Sequence, residues 1–226
     1  MRKAILLALA AVSAMLFALP ATASAESWTL DNTPAAFTST AGVTKLTTTT
    51  NETVECGSST GSGEYTNGTT ATATLFFHSC KGPSSTTCTT AGQPSGTIKT
   101  NVLTVHNVWA NKHGVKTLAA LFTPPATGES AGKFATFKCT LFGLGPEITV
   151  TGTLIGEVEL TSACNTETTV SHLNFQSTSA GHQTITTLWN TAGTYDLTAD
   201  VSGSPTTASQ DGTGTITFAK KVKPTC

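Results

Sequence analysis

Glu157 and Glu159 are the two side chains of this sequence best suited to acid–base catalysis. They stand two residues apart in the alternating segment 147–160, so on a strand both point to one face with Cα atoms about 6.6 Å apart. Inverting glycosidases hold their two carboxyl groups about 6.5 to 9.5 Å apart. The pair predicts, as one alternative, an extracellular polysaccharide hydrolase, although two solvated charges on the outer face of a strand explain the same pattern.

The other candidate catalytic patterns lack their structural context. Residues 57–61, Gly-Ser-Ser-Thr-Gly, match the Gly-x-Ser-x-Gly pattern of a hydrolase nucleophile, which requires a helix directly after the serine. Turn and strand formers follow instead. The five histidines show no metal-ligand spacing, and no Cys-x-x-Cys is present. We therefore predict no catalytic residue, no metal site and no cofactor.

Two tryptophans, Trp109 and Trp189, are the candidate binding residues, because an indole offers a large flat face with one polar edge. Use of both rings in the core is the other interpretation. The predicted partners are a cell-wall polysaccharide or another surface protein. Nucleic acid is not expected, since no arginine follows Arg2 and the lysines are scattered rather than clustered.

The first 25 residues have the organisation of a secretory signal peptide. A basic start, Arg2 and Lys3, precedes the apolar run 4–19, and Ala23-Ser24-Ala25 supplies a small-x-small cleavage site. The apolar run of about 16 residues is shorter than the roughly 20 that span a bilayer. We predict cleavage after Ala25, secretion to the extracellular space and no membrane span after cleavage.

Six cysteines follow the signal peptide, and an even number in an exported chain predicts three disulfides. Cys80 and Cys88 bracket a turn-rich loop, which favours a local bond between them. Cys56 and Cys139 each share a strand face with apolar residues, which favours a bond through the core. The expected pairs are Cys80–Cys88, Cys56–Cys139 and Cys164–Cys226.

The composition indicates strands throughout residues 26–226. Of 226 residues, 49 are threonine and only 11% are charged, and β-branched threonine favours strands. Period-two alternation is clearest in 70–77, 147–160 and 194–201, and 111–114 has the composition of a hairpin turn. Further strands are predicted at 36–40, 45–49, 53–56, 97–110, 115–122, 134–141, 168–175, 184–189 and 214–218.

Strands of this length and spacing predict one all-β domain, 26–226, built as a disulfide-stapled antiparallel β-sandwich with a Greek-key or jelly-roll-like order. The alternative is two stacked β lobes. Their boundary would lie near 123–132, where Pro124 and Pro125 interrupt the strand pattern.

A set of motifs runs through the chain at 54–66, 76–82, 88–92, 125–128, 137–139 and 152–158. Together they resemble a family of uncharacterised secreted actinobacterial proteins, and the likeness fades beyond 173. It implies export, a β-rich fold and cysteines near positions 56, 80, 88 and 139, but no assigned activity. Cys164 and Cys226 stand outside the shared pattern.

Taken together, these features predict a secreted, non-enzymatic binding or structural module at or outside the cell surface. One alternative is the polysaccharide hydrolase with Glu157 and Glu159. The other is a self-assembling envelope protein that associates through exposed strand edges, or through Cys226 if its thiol is free.

Overall fold

Sixteen strands form the computed structural model, which describes residues 26–141, 144–191 and 193–226. The predicted signal peptide, 1–25, lies outside the described residues. All strand pairs are antiparallel, and three disulfides join them, so the predicted all-β, disulfide-stapled fold is confirmed. The strands are β1 (Thr29–Asp31), β2 (Ala35–Ala41), β3 (Thr44–Thr48), β4 (Thr53–Cys56), β5 (Ser58–Tyr65), β6 (Thr70–His78), β7 (Thr87–Thr89), β8 (Ile98–Lys99), β9 (Leu103–Lys112), β10 (Val115–Thr123), β11 (Lys133–Thr140), β12 (Glu147–Gly152), β13 (Leu154–Leu160), β14 (Thr168–Phe175), β15 (Leu197–Val201) and β16 (Ser204–Thr225).

Eight of these strands close into a ring. Their order is β16-β2-β5-β6-β9-β10-β13-β14, and β14 pairs with β16 again. Because side chains alternate along each strand, one set of residues points into the ring and the other toward the outside. The rings of Phe37, Tyr65 and Phe218 lie 5.8 to 6.3 Å from one another on three neighbouring strands, β2, β5 and β16, and all three belong to the buried core. The large antiparallel sheet fits a β-sandwich-like all-β fold.

Tyr65 and Asn107 make a buried polar contact in the ring interior. The hydroxyl of Tyr65 donates a 2.8 Å hydrogen bond to Oδ1 of Asn107, and both side chains are buried. Burial raises the pKa of the Tyr65 phenol far above its ordinary value, and the bond to Asn107 offsets only part of that effect. The phenol therefore stays neutral and acts as a donor.

A second sheet, β4-β3-β16-β15-β12-β11-β7, continues from the ring along β16. The first half of β16 pairs with β15 and β3, and the second half with β14 and β2. Gly212 lies where β16 passes from one set of partners to the other. Its φ is 149° and an added Cβ would lie 2.7 Å from a side-chain carbon of Thr44, so this position favours glycine. The chain passes repeatedly between ring and second sheet, and 124–132 is one such crossing.

A line of four cysteines closes the second sheet between β4 and β7, and we call this line the seam. Residue 81 bridges Glu55 on one side and Thr87 on the other, so 80 and 81 form a short link between the two edge strands. Cys56, Cys80, Cys88 and Cys139 then stand side by side on neighbouring segments, all buried. The observed disulfides are Cys56–Cys80, Cys88–Cys139 and Cys164–Cys226.

The expected pairs Cys80–Cys88 and Cys56–Cys139 are therefore wrong, whereas Cys164–Cys226 is the expected one. A bond between the inner pair, Cys80 and Cys88, would leave the outer pair, Cys56 and Cys139, to bond across three strand spacings, about 14 Å. A disulfide requires Cα atoms within about 7 Å. Only the pairing of neighbours along the seam uses all four thiols, and all six cysteines are bonded.

The long connection 176–196 covers the outside of the ring instead of forming the predicted strand 184–189. Ile185, Leu188 and Tyr195 pack on a small apolar cluster with Val108 and Ile155, which face outward from the ring. Its backbone pairs with the strands through isolated bridges, such as Ala110 with Leu188, and not through a continuous ladder. The predicted hairpin turn at 111–114 is confirmed, with β9 and β10 paired on either side of it.

Candidate functional site

Four cavities follow one another through the molecule, since each shares a wall residue with the next. The first, of about 40 Å³, lies inside the ring and shares Leu75 with a second of about 60 Å³. The second shares Phe77 with a third of about 40 Å³, which shares Leu46 with the last. The last, which we call the end cavity, measures about 220 Å³ and lies inside the second sheet.

The end cavity is lined mainly by apolar side chains from the inward positions of the second sheet. Along each strand these positions alternate with polar residues that point outward. The period-two pattern that predicts the strands therefore also places apolar side chains on the cavity wall. Ile148 and Val54 are each 8% exposed and Ala199 is 2% exposed, so the wall is firmly part of the core. The lining residues are Leu46, Thr48, Glu52, Thr53, Val54, Pro83, Thr86, Cys139, Pro146, Ile148, Ala199 and Val201.

The turn between β3 and β4 forms one side of the mouth. Buried Thr48 holds this turn, because its hydroxyl accepts a 3.1 Å hydrogen bond from the backbone N–H of Glu52 and contacts the Thr50 hydroxyl at 2.9 Å. The backbone N–H of Thr48 also donates to the Glu52 carbonyl at 2.9 Å. These bonds fix the backbone that carries the exposed Glu52 side chain at the mouth.

The loop between Cys80 and Cys88 forms the opposite side of the mouth. Thr86 folds this loop back on itself, since its hydroxyl donates a 2.9 Å hydrogen bond to the Pro83 carbonyl. Both ends of the loop are held by disulfides, one to β4 and one to β11. The rim is thus fixed before any ligand arrives, which lowers the entropic cost of binding.

Glu52 carries the one charge among the lining residues. No described ion pair or side-chain hydrogen bond engages its carboxylate. The hydroxyls around it already have protein partners: Thr48 contacts Thr50, Thr86 donates to Pro83, and Thr53 contacts Thr47 at 3.4 Å. The cavity therefore offers an apolar interior with a single carboxylate at its entrance.

Glu157 and Glu159 both lie on the outer face of β13, and the alternation of the sequence predicted that they share one face. The Glu157 carboxylate accepts a 2.6 Å hydrogen bond from Lys112 Nζ in an ion pair whose side chains are 16% and 29% exposed. Glu159 is exposed, and its cross-strand neighbour on β14 is His172. Neither glutamate lines any of the four cavities described above.

Trp109 and Trp189 come together at the ring, and neither lines the end cavity. The backbone N–H of Trp189 donates a 2.8 Å hydrogen bond to the Trp109 carbonyl. Lys116 Nζ lies 4.4 Å from the centre of the Trp109 ring and also pairs with Glu26. The protein's own cation thus occupies the Trp109 face expected to stack on a ligand.

Within the described ranges, no group of three or more His, Cys, Asp or Glu side chains is placed to hold a metal ion. The described residues contain no helix that is long and apolar enough to cross a membrane. Comparison of the chain with protein-family models, curated protein sequences and solved structures finds no match in any of the three. The resemblance to secreted actinobacterial proteins stays a prediction.

Sequence reasoning did not identify the end cavity or Glu52. Glu52 sits between two predicted strands, 45–49 and 53–56, so its place in a hairpin turn was readable from the sequence. Its position over a cavity depends on which strands face it across the second sheet. The strands β12 and β15 that complete the wall come from more than ninety residues further along the chain.

Proposed function

We propose that this protein is a secreted, non-enzymatic binding module whose site is the end cavity and whose ligand is a small, mainly apolar molecule. The observation that carries the proposal is the contrast in volume, about 220 Å³ against 40 to 60 Å³ for the three other cavities of the described series. Protein interiors are close-packed and leave few voids larger than a water molecule. A void of this size with an apolar wall is therefore best explained as a place for a ligand.

The dimensions set the size of that ligand. An engineered apolar cavity of about 150 Å³ in another protein holds benzene. In proportion, the end cavity accommodates about nine non-hydrogen atoms. Its rim is held by hydrogen bonds and two disulfides, as expected of a preformed small-molecule site.

Export is supported by the predicted signal peptide at 1–25 and by the three disulfides, which fit an oxidising compartment. The two alternative functions have less support. Lys112 engages Glu157 in an ion pair outside the cavities, which argues against a catalytic pair with Glu159. Cys226 is bonded to Cys164, which argues against covalent assembly through its thiol.

The test is a calorimetric titration of the oxidised protein with 2-phenylethanol, a neutral probe of nine non-hydrogen atoms. We expect saturable one-to-one binding with a dissociation constant on the order of 0.1 to 1 mM. Ala199→Leu, which fills the cavity, should abolish binding, whereas Ala36→Leu on the exposed outside of β2 should not. Binding that is absent, or that survives Ala199→Leu in a folded protein, would refute the proposal.

A further inference from the structure

The polar group at the mouth indicates what kind of apolar molecule the end cavity takes. Glu52 is acceptor-only when ionised, and the neighbouring hydroxyls are engaged within the protein. A ligand group that reaches the mouth therefore meets a carboxylate that accepts hydrogen bonds and attracts positive charge. An anionic group would be repelled, and a neutral hydroxyl would gain one ordinary hydrogen bond.

We propose that the ligand is a small primary amine with an apolar body, bound with its ammonium group on Glu52 and its hydrocarbon part against Leu46, Val54 and Ile148. This rests on the proposed function of the end cavity. The ammonium group supplies three donors and no acceptor, which complements a carboxylate with free lone pairs. The hydrocarbon part replaces water along the apolar wall.

The cations nearest along the chain do not compete for Glu52, because each has a partner. Lys45 pairs with Glu55 at 2.9 Å on the outer face of the β3–β4 hairpin. Lys81 Nζ donates to the Thr87 hydroxyl at 3.0 Å on the other side of the mouth. Neither ammonium group forms an ion pair with Glu52, so its carboxylate stays available where a ligand enters.

Three probes of nearly equal size and different charge test the proposal: 2-phenylethylamine, 2-phenylethanol and phenylacetate. At pH 7 and low salt, we expect the amine to bind about fivefold more tightly than the alcohol, the gain typical of an exposed ion pair. Phenylacetate should bind most weakly. The preference for the amine should decline as salt is added, since the pair lies at the surface.

Two matched variants show whether Glu52 is responsible. Glu52→Gln should make the affinities for amine and alcohol equal without weakening the alcohol. Glu55→Gln removes the same charge from the adjacent strand but outside the cavity, so it should leave the preference for the amine intact. Circular dichroism confirms that each variant is folded.

The outcomes separate this inference from the proposed function. If the alcohol binds as tightly as the amine in the unmodified protein, or if Glu55→Gln removes the preference as fully as Glu52→Gln, the assignment of an amine ligand is wrong and the cavity remains the site. If no probe binds, the proposed function itself is wrong. Tightest binding of phenylacetate would also overturn the assignment to Glu52.

Discussion

The backbone N–H of Cys88 donates a 3.1 Å hydrogen bond to the carbonyl of Cys80, yet the two thiols form disulfides with other residues. Cys80 is bonded to Cys56 and Cys88 to Cys139, so each disulfide crosses to the next segment outward from this contact. The two bonds hold the seam on both sides of residues 80 and 81. They also hold the rim of the end cavity, which connects the covalent structure to the proposed site.

Tryptic peptides of the unreduced protein test this connectivity directly. Cleavage after Lys45 and Lys81 releases 46–81, which contains both Cys56 and Cys80. We expect 46–81 as a single peptide, two hydrogens lighter than after reduction. Peptide 139–220 should be linked to 82–99 through Cys139 and to 222–226 through Cys164. A cross-link between 46–81 and 82–99 would contradict the seam.

Loss of the Cys88–Cys139 disulfide should weaken ligand binding and lower the stability of the fold. Cys139 lines the end cavity, so the double variant Cys88→Ala, Cys139→Ala should lose about 2 to 4 kcal/mol of unfolding free energy and bind 2-phenylethanol more weakly. Denaturant unfolding and calorimetry measure the two effects. Removing Cys164 and Cys226 together is the control, and its stability loss should come without a change in affinity. Equal affinity losses in both variants would contradict a role for the seam in shaping the site.

The segment 176–196 should prove structural, because its apolar side chains cover the outside of the ring. Leu188 is 2% exposed, and Leu188→Ala should lower the unfolding free energy by about 2 to 5 kcal/mol. Leu144 is 81% exposed, and Leu144→Ala should change the unfolding free energy by less than about 0.5 kcal/mol. Denaturant unfolding of the two variants measures this difference. A small effect at Leu188 would mean that the segment does not pack on the ring in solution.

Glu157 should contribute to stability and not to ligand binding. Glu157→Gln leaves the partly buried Lys112 ammonium without its partner and should lower the unfolding free energy by about 1 kcal/mol. The exposed Glu159 serves as the control, and Glu159→Gln should have almost no effect. Release of sugar from cell-wall polysaccharide by the unmodified protein, lost in Glu157→Gln, would instead support the hydrolase alternative.

Acid should destabilise the fold through His106. Burial lowers the pKa of this half-buried imidazole below its ordinary value of 6.5, so the folded state favours the neutral ring. The corresponding stability is complete above pH 6.5 and is lost as the pH falls through the lower pKa of the folded state. His106→Gln should therefore lose less stability between pH 7 and pH 5 than the unmodified protein. His113→Asn, at the exposed hairpin tip, should retain the unmodified pH dependence; an identical response of both variants would contradict a role for His106.

Much of the strand pattern was predictable because it is local. Alternation placed Leu154 and Val158 on one side of β13 and Glu157 on the other, and the structure keeps that division. The same alternation did not reveal that 147–160 is two strands. Gly152, with a φ of 91°, ends β12 in the second sheet, and β13 then enters the ring.

The features that escaped prediction depend on distant partners. β5 is rich in serine and glycine, and it forms a strand because Gly63 makes room for the Phe37 ring, which would lie 2.5 Å from an added Cβ. The disulfide pairing depends on residue 81 crossing between two edge strands. The end cavity likewise exists only after the second sheet closes, so no single segment signals it.

Methyl NMR of the oxidised protein during titration with 2-phenylethylamine tests the end cavity most directly. We expect saturable shifts for the methyl groups of Leu46, Val54, Ile148 and Val201, which line the cavity. Methyl groups of Leu173 and Val158, inside the ring, should not move. Shifts centred on the ring, or no shifts at saturating probe, would contradict the end cavity as the ligand site.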